Sequence, residues 1–339
     1  MNWSKIDIKT EQGKVVSAQS PLIVSASRST DIPAFYSDWF VNRLKQGYVK
    51  WRNPFNGVPL YVSFKKARLV VFWSKNPKPI IKHLDYISDK IPNFYFQYTL
   101  NDYDDEKLEL GVPSVDSRIE TFIELSEKIG KEKVIWRFDP LILTDKINVD
   151  DLLRKVEYIG DKLHKYTDKL VFSFADIESY KKVKNNLAKS KVNYKEFDND
   201  SMIQFSKGLQ ELNEKWNLDI GTCAENISLE EYGVSHNKCV DDDLIIKLFS
   251  KDKVLMDFLG VKIHEPDIFD PTIRIEKTKK LKDKGQRELC GCIFSKDIGE
   301  YNTCPHLCEY CYANTSKELA LRNWKKHLNN KLDASIIGE

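Results

Sequence analysis

Val134-Ile135-Trp136-Arg137-Phe138 is a short run of strand-forming residues, and an amphipathic stretch at residues 150–166 follows it. The same unit, an apolar run and then a helix-like stretch, recurs along the chain. Strands that alternate with helices pair in parallel, so the repeat predicts an α/β fold, a TIM-like (β/α) barrel that is complete or partial. The other predicted strands span residues 22–27, 69–73, 94–99, 170–174, 218–222 and 292–294, and the other predicted helices span 34–46, 79–89, 117–129, 180–189, 200–216 and 316–328.

The composition suits one large folded domain. The chain has 339 residues, of which 41% are hydrophobic and 12% aromatic, enough to bury a sizeable core. We assign residues 1–20 to an N-terminal extension and residues 21–339 to a single barrel-like domain. The 53 Lys and Arg against 51 Asp and Glu leave a net charge of +2, which favours neither polyanions nor membranes as partners. No run approaches the roughly 20 apolar residues of a membrane span, and the first residues lack an apolar signal core, so a cytoplasmic protein is expected.

Polar side chains closely follow the predicted strands. In a (β/α) barrel the carboxyl ends of the strands meet at one mouth, where catalytic groups lie. Charged residues beside buried strands also need partners or ligands. These positions predict catalytic roles for Arg28, Arg137 and Asp139. The same reasoning predicts a set of cofactor-binding residues, which are Ser25, Ser27, Asp31, Asn76 and Asn101.

Three cysteines lie on one short segment, Cys304-Pro-His-Leu-Cys308-Glu-Tyr-Cys311. Their C-x3-C-x2-C spacing allows three thiolates to hold three irons of a [4Fe-4S] cluster and leaves the fourth iron open to another ligand. The segment resembles the cluster loop of the radical S-adenosylmethionine enzymes, which usually carry an aromatic residue where Tyr310 stands. That resemblance implies a [4Fe-4S] cluster, S-adenosylmethionine as cofactor with Tyr310 near its adenine, and an electron donor such as a flavodoxin or ferredoxin.

The position of this segment differs from that superfamily, in which the cluster loop lies near the N-terminus. A circular permutation reconciles the two. A strand at residues 298–302 would precede the loop, the helix at 316–328 would follow it, and the strand at 22–27 would be the next in space. The superfamily also binds the amino group of S-adenosylmethionine on a loop after its second strand, often with Gly-Gly-Glu. This chain lacks that motif, so residues 25–31 would have to serve.

Several stretches together resemble a bacterial family described as domain of unknown function 1848. They are Ser25-Ala-Ser-Arg-Ser-Thr-Asp-Ile-Pro33, Trp136-Arg-Phe-Asp-Pro140, Cys223-Ala-Glu225, Cys290-Gly-Cys292 after Gln286-Arg287, and the region from Asp297-Ile-Gly-Glu-Tyr301 to Cys311-Tyr-Ala-Asn314. The resemblance covers about residues 21–314. It implies C-terminal cysteines similar to the radical S-adenosylmethionine motif, and it names no substrate.

The other four cysteines, Cys223, Cys239, Cys290 and Cys292, are the number needed for a second iron-sulfur cluster or a tetrahedral zinc site. Their spacing is less characteristic than that of the first set. The alternative is that Cys223 ends a strand and Cys239 is a small buried apolar residue. His306, inside the first cysteine segment, is expected in loop packing or in a hydrogen bond behind the ligands rather than as a ligand itself.

The sequence therefore predicts a radical S-adenosylmethionine enzyme that modifies an unknown substrate. The segment around Cys308 and Cys311 also resembles spore photoproduct lyase, and basic runs at residues 279–284 and 322–326 could contact phosphates, so nucleic acid is one substrate class. A nucleoside, a peptide or a small metabolite fits equally well. The alternative function is a zinc or iron-sulfur protein with a structural or sensing role and no radical chemistry.

Overall fold

The structure is a computed structural model that describes residues 3–264 and 274–338. The strands in this part of the chain are β1 (Lys5–Lys9), β2 (Val15–Gln19), β3 (Ile23–Ala26), β4 (Tyr48–Arg52), β5 (Pro59–Ser63), β6 (Leu69–Ser74), β7 (Asn93–Thr99), β8 (Val134–Leu141), β9 (Leu143–Thr144), β10 (Lys169–Phe174), β11 (Tyr194–Lys195), β12 (Asp219–Thr222), β13 (Val234–His236), β14 (Val261–His264), β15 (Arg274–Lys277) and β16 (Lys296–Asp297). The α-helices are α1 (Ile32–Phe35), α2 (Ser37–Gln46), α3 (Lys78–Ile81), α4 (Leu84–Lys90), α5 (Val115–Ile129), α6 (Val149–Leu163), α7 (Lys181–Lys189), α8 (Asn199–Trp216), α9 (Asp242–Phe249), α10 (Lys253–Leu259) and α11 (Lys317–Asn329).

The main sheet has eight strands in the order β13-β12-β10-β8-β7-β6-β3-β16, and every neighbouring pair is parallel. Except for β16, the strands follow one another in space as they do along the chain, because a helix or loop returns the chain to the start of the next strand. The predicted α/β class is confirmed. Within the described residues the sheet is not closed into a barrel, and β13 and β16 form its two edges.

The strand that precedes the cysteine loop is β16 rather than residues 292–294 or 298–302, so both of those predicted strands were wrong in position. Residues 292–294 do not extend the sheet because the N–H of Ile293 donates to the carbonyl of Val240, at 2.9 Å. β16 pairs in parallel with β3, as expected for the strand before the loop. The last strand of the chain is therefore the neighbour of the first strand of this sheet.

Two of the predicted helices are each divided in the structure. The predicted helix at residues 34–46 is split into α1 and α2 at Tyr36, whose backbone leaves the helical region with φ −124° and ψ 20°. The hydroxyl of Tyr36 donates to the carbonyl of Thr303, at 2.5 Å, so the break lets this side chain reach the residue just before Cys304. The predicted helix at residues 79–89 is divided into α3 and α4.

Alternate residues of the parallel strands face opposite sides of the sheet. One face is apolar along its length and packs against the helices that connect the strands, with Phe72, Phe96, Trp136 and Phe172 in that core. Burial of both faces is what a parallel sheet requires. The second face is apolar at one end of the strands and polar at the other, and it contains the candidate site.

The second face changes character from one end of the strands to the other. Near the start of each strand it is apolar, with Val71, Tyr95 and Ile135 packed in a second core with residues of α9 and α10. Two positions further along the same strands the side chains are Trp73, Gln97 and Arg137. The carboxyl ends of the strands thus present polar groups on the face that the second core leaves uncovered.

A smaller sheet in the order β1-β2-β5-β4 lies beside this architecture. It includes residues 5–19, which form the hairpin of β1 and β2 and pair through β2 with β5. Arg43 on α2 is fully buried and donates two hydrogen bonds to the carboxylate of Glu11, at 2.8 and 3.1 Å, which ties the hairpin to the helices. In the described residues no helix is long and apolar enough to cross a membrane.

Replacement of Gly160 by Ala should destabilise the fold, whereas the same change at Gly208 on the facing helix should not. A Cβ at Gly160 would lie 2.4 Å from the rigid indole ring of Trp216, but a Cβ at Gly208 would meet the flexible end of Leu153. In Gly160→Ala the cost of overpacking exceeds the gain in helix propensity. We therefore expect the free energy of unfolding to fall by about 1–2 kcal/mol. Gly208→Ala should be neutral or stabilising by up to about 1 kcal/mol. Denaturant unfolding of both variants tests this, and equal free energies of unfolding would contradict it.

Candidate active site

The cysteine loop follows β16 and ends at Ser316, whose hydroxyl caps α11. The thiols of Cys304, Cys308 and Cys311 point into a largely buried region, and burial raises the pKa of each of them. Neutral thiols are therefore favoured until a metal ion replaces the protons. The N–H of Asn314 donates to the sulfur of Cys311, at 3.3 Å, the kind of contact that tunes a metal-bound thiolate.

Asp31 holds the cysteine loop against the strand ends. Its Oδ1 accepts hydrogen bonds from the hydroxyl of Ser74 at 2.7 Å and from the N–H of Ala34 at 2.9 Å. Its Oδ2 accepts from the N–H of Lys75 and bonds Nε2 of His306, both at 2.7 Å. One buried carboxylate thus joins the end of β3, the end of β6 and the cysteine loop.

His306 supports the loop in the way expected of a residue behind the ligands. Besides its bond to Asp31, its Nδ1 lies 3.2 Å from the carbonyl of Gly111. The N–H of Gly111 returns a bond of 2.7 Å to the carbonyl of His306. A Cβ at Gly111 would lie only 2.4 Å from the carbonyl oxygen of Pro305, so glycine permits this close approach. Both ring nitrogens of His306 are occupied by protein partners.

A buried network of charges lies directly beside the loop. The ammonium of Lys75 donates to Glu109 at 2.6 Å and to the hydroxyl of Tyr310 at 3.0 Å. Arg118, fully buried on α5, lies 3.2 Å from the other oxygen of Glu109. The amide of Asn101 donates to Glu109 at 3.1 Å and to the Tyr310 hydroxyl at 3.0 Å. Tyr310 also donates to Glu109. The hydroxyl of Tyr310 in the cysteine loop is therefore fixed by three partners, Lys75, Asn101 and Glu109.

The electrostatics of this network follow from its geometry. Burial alone would raise the pKa of Glu109, but Lys75 and Arg118 outweigh it and lower that pKa to about 2. Burial likewise opposes the charge on Lys75, yet Glu109 and the nearby Cys308 raise the pKa of Lys75. Lys75 therefore keeps a positive charge next to the thiols, where it can stabilise a metal-bound thiolate.

Arg137 and Asp139, both predicted to be catalytic, form an ion pair at the end of β8. Asp139 also accepts a hydrogen bond from the hydroxyl of Ser173 on β10, and its N–H donates to the side-chain oxygen of Asn101 at 2.8 Å. Burial disfavours the charged carboxylate, but Arg137 and Ser173 lower the pKa of Asp139. The ring of Trp73 lies 5.5 Å from the Arg137 guanidinium.

The structure places the other predicted residues in different roles. Arg28 extends over the same ring of Trp73 at 5.3 Å, and its Nη2 is buried with no hydrogen-bond partner among the described residues. Ser25 accepts a hydrogen bond from the Trp73 indole at 2.9 Å. Ser27 accepts one from the N–H of Ser29 at 2.8 Å. Asn76 lies apart from this group and accepts a bond from the N–H of Lys78 at 3.4 Å, at the start of α3.

The second set of cysteines is also brought together. The sulfurs of Cys223 and Cys239 lie 3.3 Å apart, and the sulfur of Cys292 accepts a hydrogen bond from the N–H of Cys239 at 3.2 Å. Arg137 donates to the sulfur of Cys239 at 3.1 Å. Arg137 therefore connects this set to Asp139, and through Asn101 and Tyr310 to the cysteine loop.

Lys75 is one of the polar side chains that follow the predicted strand at residues 69–73, but sequence reasoning did not single out Glu109 or Arg118. Glu109 lies in a loop whose packing depends on the distant cysteine segment, and nothing local marks it. Arg118 carried a usable signal, because it occupies the apolar face of α5 between Val115 and Phe122. A charged residue in such a position indicates a buried partner.

Comparison with known proteins identifies the family of the chain. The family described as "Domain of unknown function (DUF1848)" matches residues 23–313. This chain belongs to the DUF1848 family. The matched region contains all seven cysteines and the whole buried network around Tyr310.

No curated protein matches this DUF1848 chain. A solved structure that matches is that of a "putative alpha-L-fucosidase" from Bacteroides thetaiotaomicron VPI-5482, at 10% sequence identity. The match covers 57% of this chain and 83% of the other, with a TM-score of 0.26. A similarity that low supports no statement about the fold or the activity.

Replacement of Glu109 by Gln should cost the protein about 3 kcal/mol, the free energy that corresponds to the lowering of its pKa from 4.5 to about 2. The change leaves Lys75 and Arg118 buried without their carboxylate. Since the folded-state pKa is depressed, this stability is present above pH 4.5 and is lost as the pH falls towards 2.

Unfolding of Glu109→Gln at several pH values measures both effects. The matched control is Glu124→Gln, which removes an exposed partner of Lys78 and should change stability by less than about 1 kcal/mol. A Glu109→Gln protein as stable as that control, with an unchanged pH dependence in the acid range, would show that the network does not stabilise the fold.

Proposed function

We propose that this DUF1848 protein is a radical S-adenosylmethionine enzyme built on a circularly permuted, partial (β/α) barrel. The observation that carries the proposal is the place of the cysteine loop among the strands. The loop follows β16, which is the neighbour of β3, so it comes first in the spatial series β16, β3, β6, β7, β8 and β10. In radical S-adenosylmethionine enzymes the cluster loop likewise comes before the strand whose following loop binds the cofactor's amino group.

The residues of the loop fit a [4Fe-4S] cluster with one open iron. Cys304, Cys308 and Cys311 offer three partly buried free thiols, and His306 is held by Asp31 and does not supply a fourth ligand. In the described residues, no three of the cysteine sulfurs lie within 4.8 Å of one another. Sulfurs around a single zinc ion would be only about 3.8 Å apart, as Zn–S bonds of about 2.3 Å require. At least one pair of the three loop sulfurs is therefore more than 4.8 Å apart, so a single ion would require the loop to move.

The polar groups next to the loop suit a bound amino acid moiety. Arg28 has a buried Nη2 without a partner, so we assign the cofactor's carboxylate to Arg28. Asp31 uses both of its oxygens to hold the loop and the strand ends, and Ser27 is bonded to Ser29. We therefore propose that Asp31 and Ser27 act as positioning residues. Tyr310 and Asn101 would form the wall between the cluster and the Arg137–Asp139 pair.

A reduced cluster held by Cys304, Cys308 and Cys311 would supply the electron for reductive cleavage of the sulfonium of S-adenosylmethionine. The chain itself fixes the groups around the mouth. Ser173 and Arg137 hold Asp139 as a carboxylate, and Asn101 fixes its main chain. Glu225, on the loop after β12, accepts a hydrogen bond from the N–H of Phe174 at 3.2 Å. Burial raises the pKa of Glu225 to about 7.

The proposal leaves the substrate open. An electron donor such as a flavodoxin or ferredoxin would have to reach the cluster. In one of the two basic runs, Lys279 and Lys282 donate to main-chain carbonyl groups of Asp257 and Glu288. Those contacts give no support to nucleic acid over a nucleoside, a peptide or a small metabolite.

The test is anaerobic reconstitution with iron and sulfide, followed by incubation with dithionite and S-adenosylmethionine. We expect about four irons per chain at the loop and release of 5′-deoxyadenosine measured by mass spectrometry. The variant with Cys304, Cys308 and Cys311 changed to Ala should lose both the loop-bound iron and the product, down to the level without protein. Tyr158→Phe, an exposed change on α6, is the control that should keep both.

The other outcomes assign a different function. A cluster at the loop without 5′-deoxyadenosine would contradict the enzyme proposal and favour an iron-sulfur sensor. Zinc at the loop, with no iron bound after reconstitution, would overturn the proposal and leave a structural metal site.

A further inference from the structure

The second set of cysteines lies where the open sheet would need to close. Cys223 directly follows β12, and Cys239 comes three residues after the edge strand β13. Cys290 and Cys292 come just before β16, the opposite edge. The segments meet through main-chain bonds, since the N–H of Ile293 donates to the carbonyl of Val240 at 2.9 Å. The four thiols therefore span the gap between the two edges.

The sulfurs form a connected row. Cys223 contacts Cys239 at 3.3 Å, Cys239 contacts Cys292, and Cys292 contacts Cys290. A sulfur-to-sulfur distance of about 3.8 Å is what two thiolates on the same metal ion adopt, so the Cys223 and Cys239 pair is already close to a ligand geometry. The row is not yet a closed tetrahedron, because in the described residues no three of these sulfurs lie within 4.8 Å of one another.

Hydrogen-bond donors surround this row as they do metal-bound thiolates. The sulfur of Cys292 accepts from the N–H of Cys239 at 3.2 Å and from that of Val240 at 3.5 Å. The amide of Asn237 donates to Cys223 at 3.2 Å and to Cys239 at 3.5 Å. Arg137 donates to Cys239 at 3.1 Å and to Cys223 at 3.7 Å. Six donated bonds are more than neutral thiols, which are weak acceptors, would require.

The position of Cys239 is itself fixed by the sheet. Its carbonyl accepts hydrogen bonds from the hydroxyl of Tyr95 at 2.8 Å and from the amide of Gln97 at 2.9 Å. Gln97 also accepts from Arg137 at 3.0 Å. The same side chains that line the uncovered face of the strands thus hold this cysteine in place, and such support behind a ligand is typical of a metal site.

We propose that Cys223, Cys239, Cys290 and Cys292 together bind a thiolate-coordinated metal centre that joins the two edges of the open sheet. The centre is separate from the cysteine loop, and the proposal does not rest on S-adenosylmethionine chemistry. Four thiolates with a divalent ion carry a net charge of −2, part of which Arg137 would offset, since it donates to Cys239 and Cys223.

Two kinds of metal centre can be bound by four thiolates, a single metal ion or a two-iron cluster. A single zinc or iron ion would draw Cys223 and Cys290, at the ends of the row, towards the middle. A two-iron cluster would hold Cys223 and Cys239 on one iron and Cys290 and Cys292 on the other, which requires Cys239 and Cys292 to move apart. Acid-labile sulfide distinguishes them, because only the cluster contains it.

The competing explanations also make predictions. Cys223 and Cys239 are close enough to oxidise to a disulfide, which would leave no ligand pair. The acidic group of Asp241, Asp242 and Asp243 has its ligand atoms within 4.8 Å and is another place for a cation. Lys238 and Lys277 already neutralise it, each with bonds to both Asp242 and Asp243.

The experiment uses the full chain with Cys304, Cys308 and Cys311 changed to Ala, so that metal at the loop does not contribute. This protein is prepared anaerobically and loaded in one arm with zinc or cobalt(II) alone and in the other with iron and sulfide. We expect about one metal centre per chain, and a cobalt spectrum with thiolate charge-transfer bands in the first arm if a single ion binds. Adding Cys290→Ser and Cys292→Ser should reduce bound metal at least about tenfold. Asp242→Asn with Asp243→Asn is the control that should retain it.

A second measurement covers the case in which the serine variants do not fold. In the wild-type chain, alkylation of each cysteine is mapped by mass spectrometry before and after metal loading. Protection of Cys223, Cys239, Cys290 and Cys292 as a group supports the proposal. Overturning results are no metal in either arm, metal lost only in the aspartate variant, or a Cys223–Cys239 disulfide in anaerobically prepared protein. None of these measurements depends on release of 5′-deoxyadenosine. The proposal of a second metal site and the proposal of enzyme activity are therefore tested separately.

Discussion

The parallel pairing of β16 with β3 is the contact on which the rest of the site depends. It consists of two residue pairs, Lys296 with Val24 and Asp297 with Ser25. Asp297 strengthens it by accepting a hydrogen bond from the N–H of Arg28 at 2.7 Å. Without this contact the cysteine loop has no strand to lead it to the mouth. Asp31 then completes the attachment through His306, because a buried carboxylate with four donors is a rigid anchor.

The period of two along each strand explains how one sheet can be both a core and a site. The central strands β6, β7, β8 and β10 each have one apolar face, and their other face changes from apolar to polar within a few residues. On β8 this change occurs between Ile135 and Arg137, and on β10 between Val171 and Ser173. The chain covers the apolar half with α9 and α10, which leaves the polar half available.

Much of the architecture could be predicted from the sequence, because strand and helix periodicity is local. The parallel units and most of their bounds agree with the pattern of apolar residues. Contacts between residues distant in the chain could not be predicted. The partners of Asp31, 43 and 275 positions away, leave no trace in the local pattern, so its bonds to the cysteine loop and to β6 were not foreseen. The two-residue β16 is too short for any periodicity, so its neighbours on either side were predicted instead.

The order of the strands has a consequence for biosynthesis. Arg28 and Asp297 are 269 positions apart, so one edge of the sheet emerges from the ribosome long before its partner has been made. Until then β3 presents an open edge on that side, and such edges invite aberrant pairing. The loop that carries Cys304 arrives later still. Attachment of the cysteine loop to β3 is therefore a late event in folding, and the earlier part of the chain has to cover β3 in the meantime.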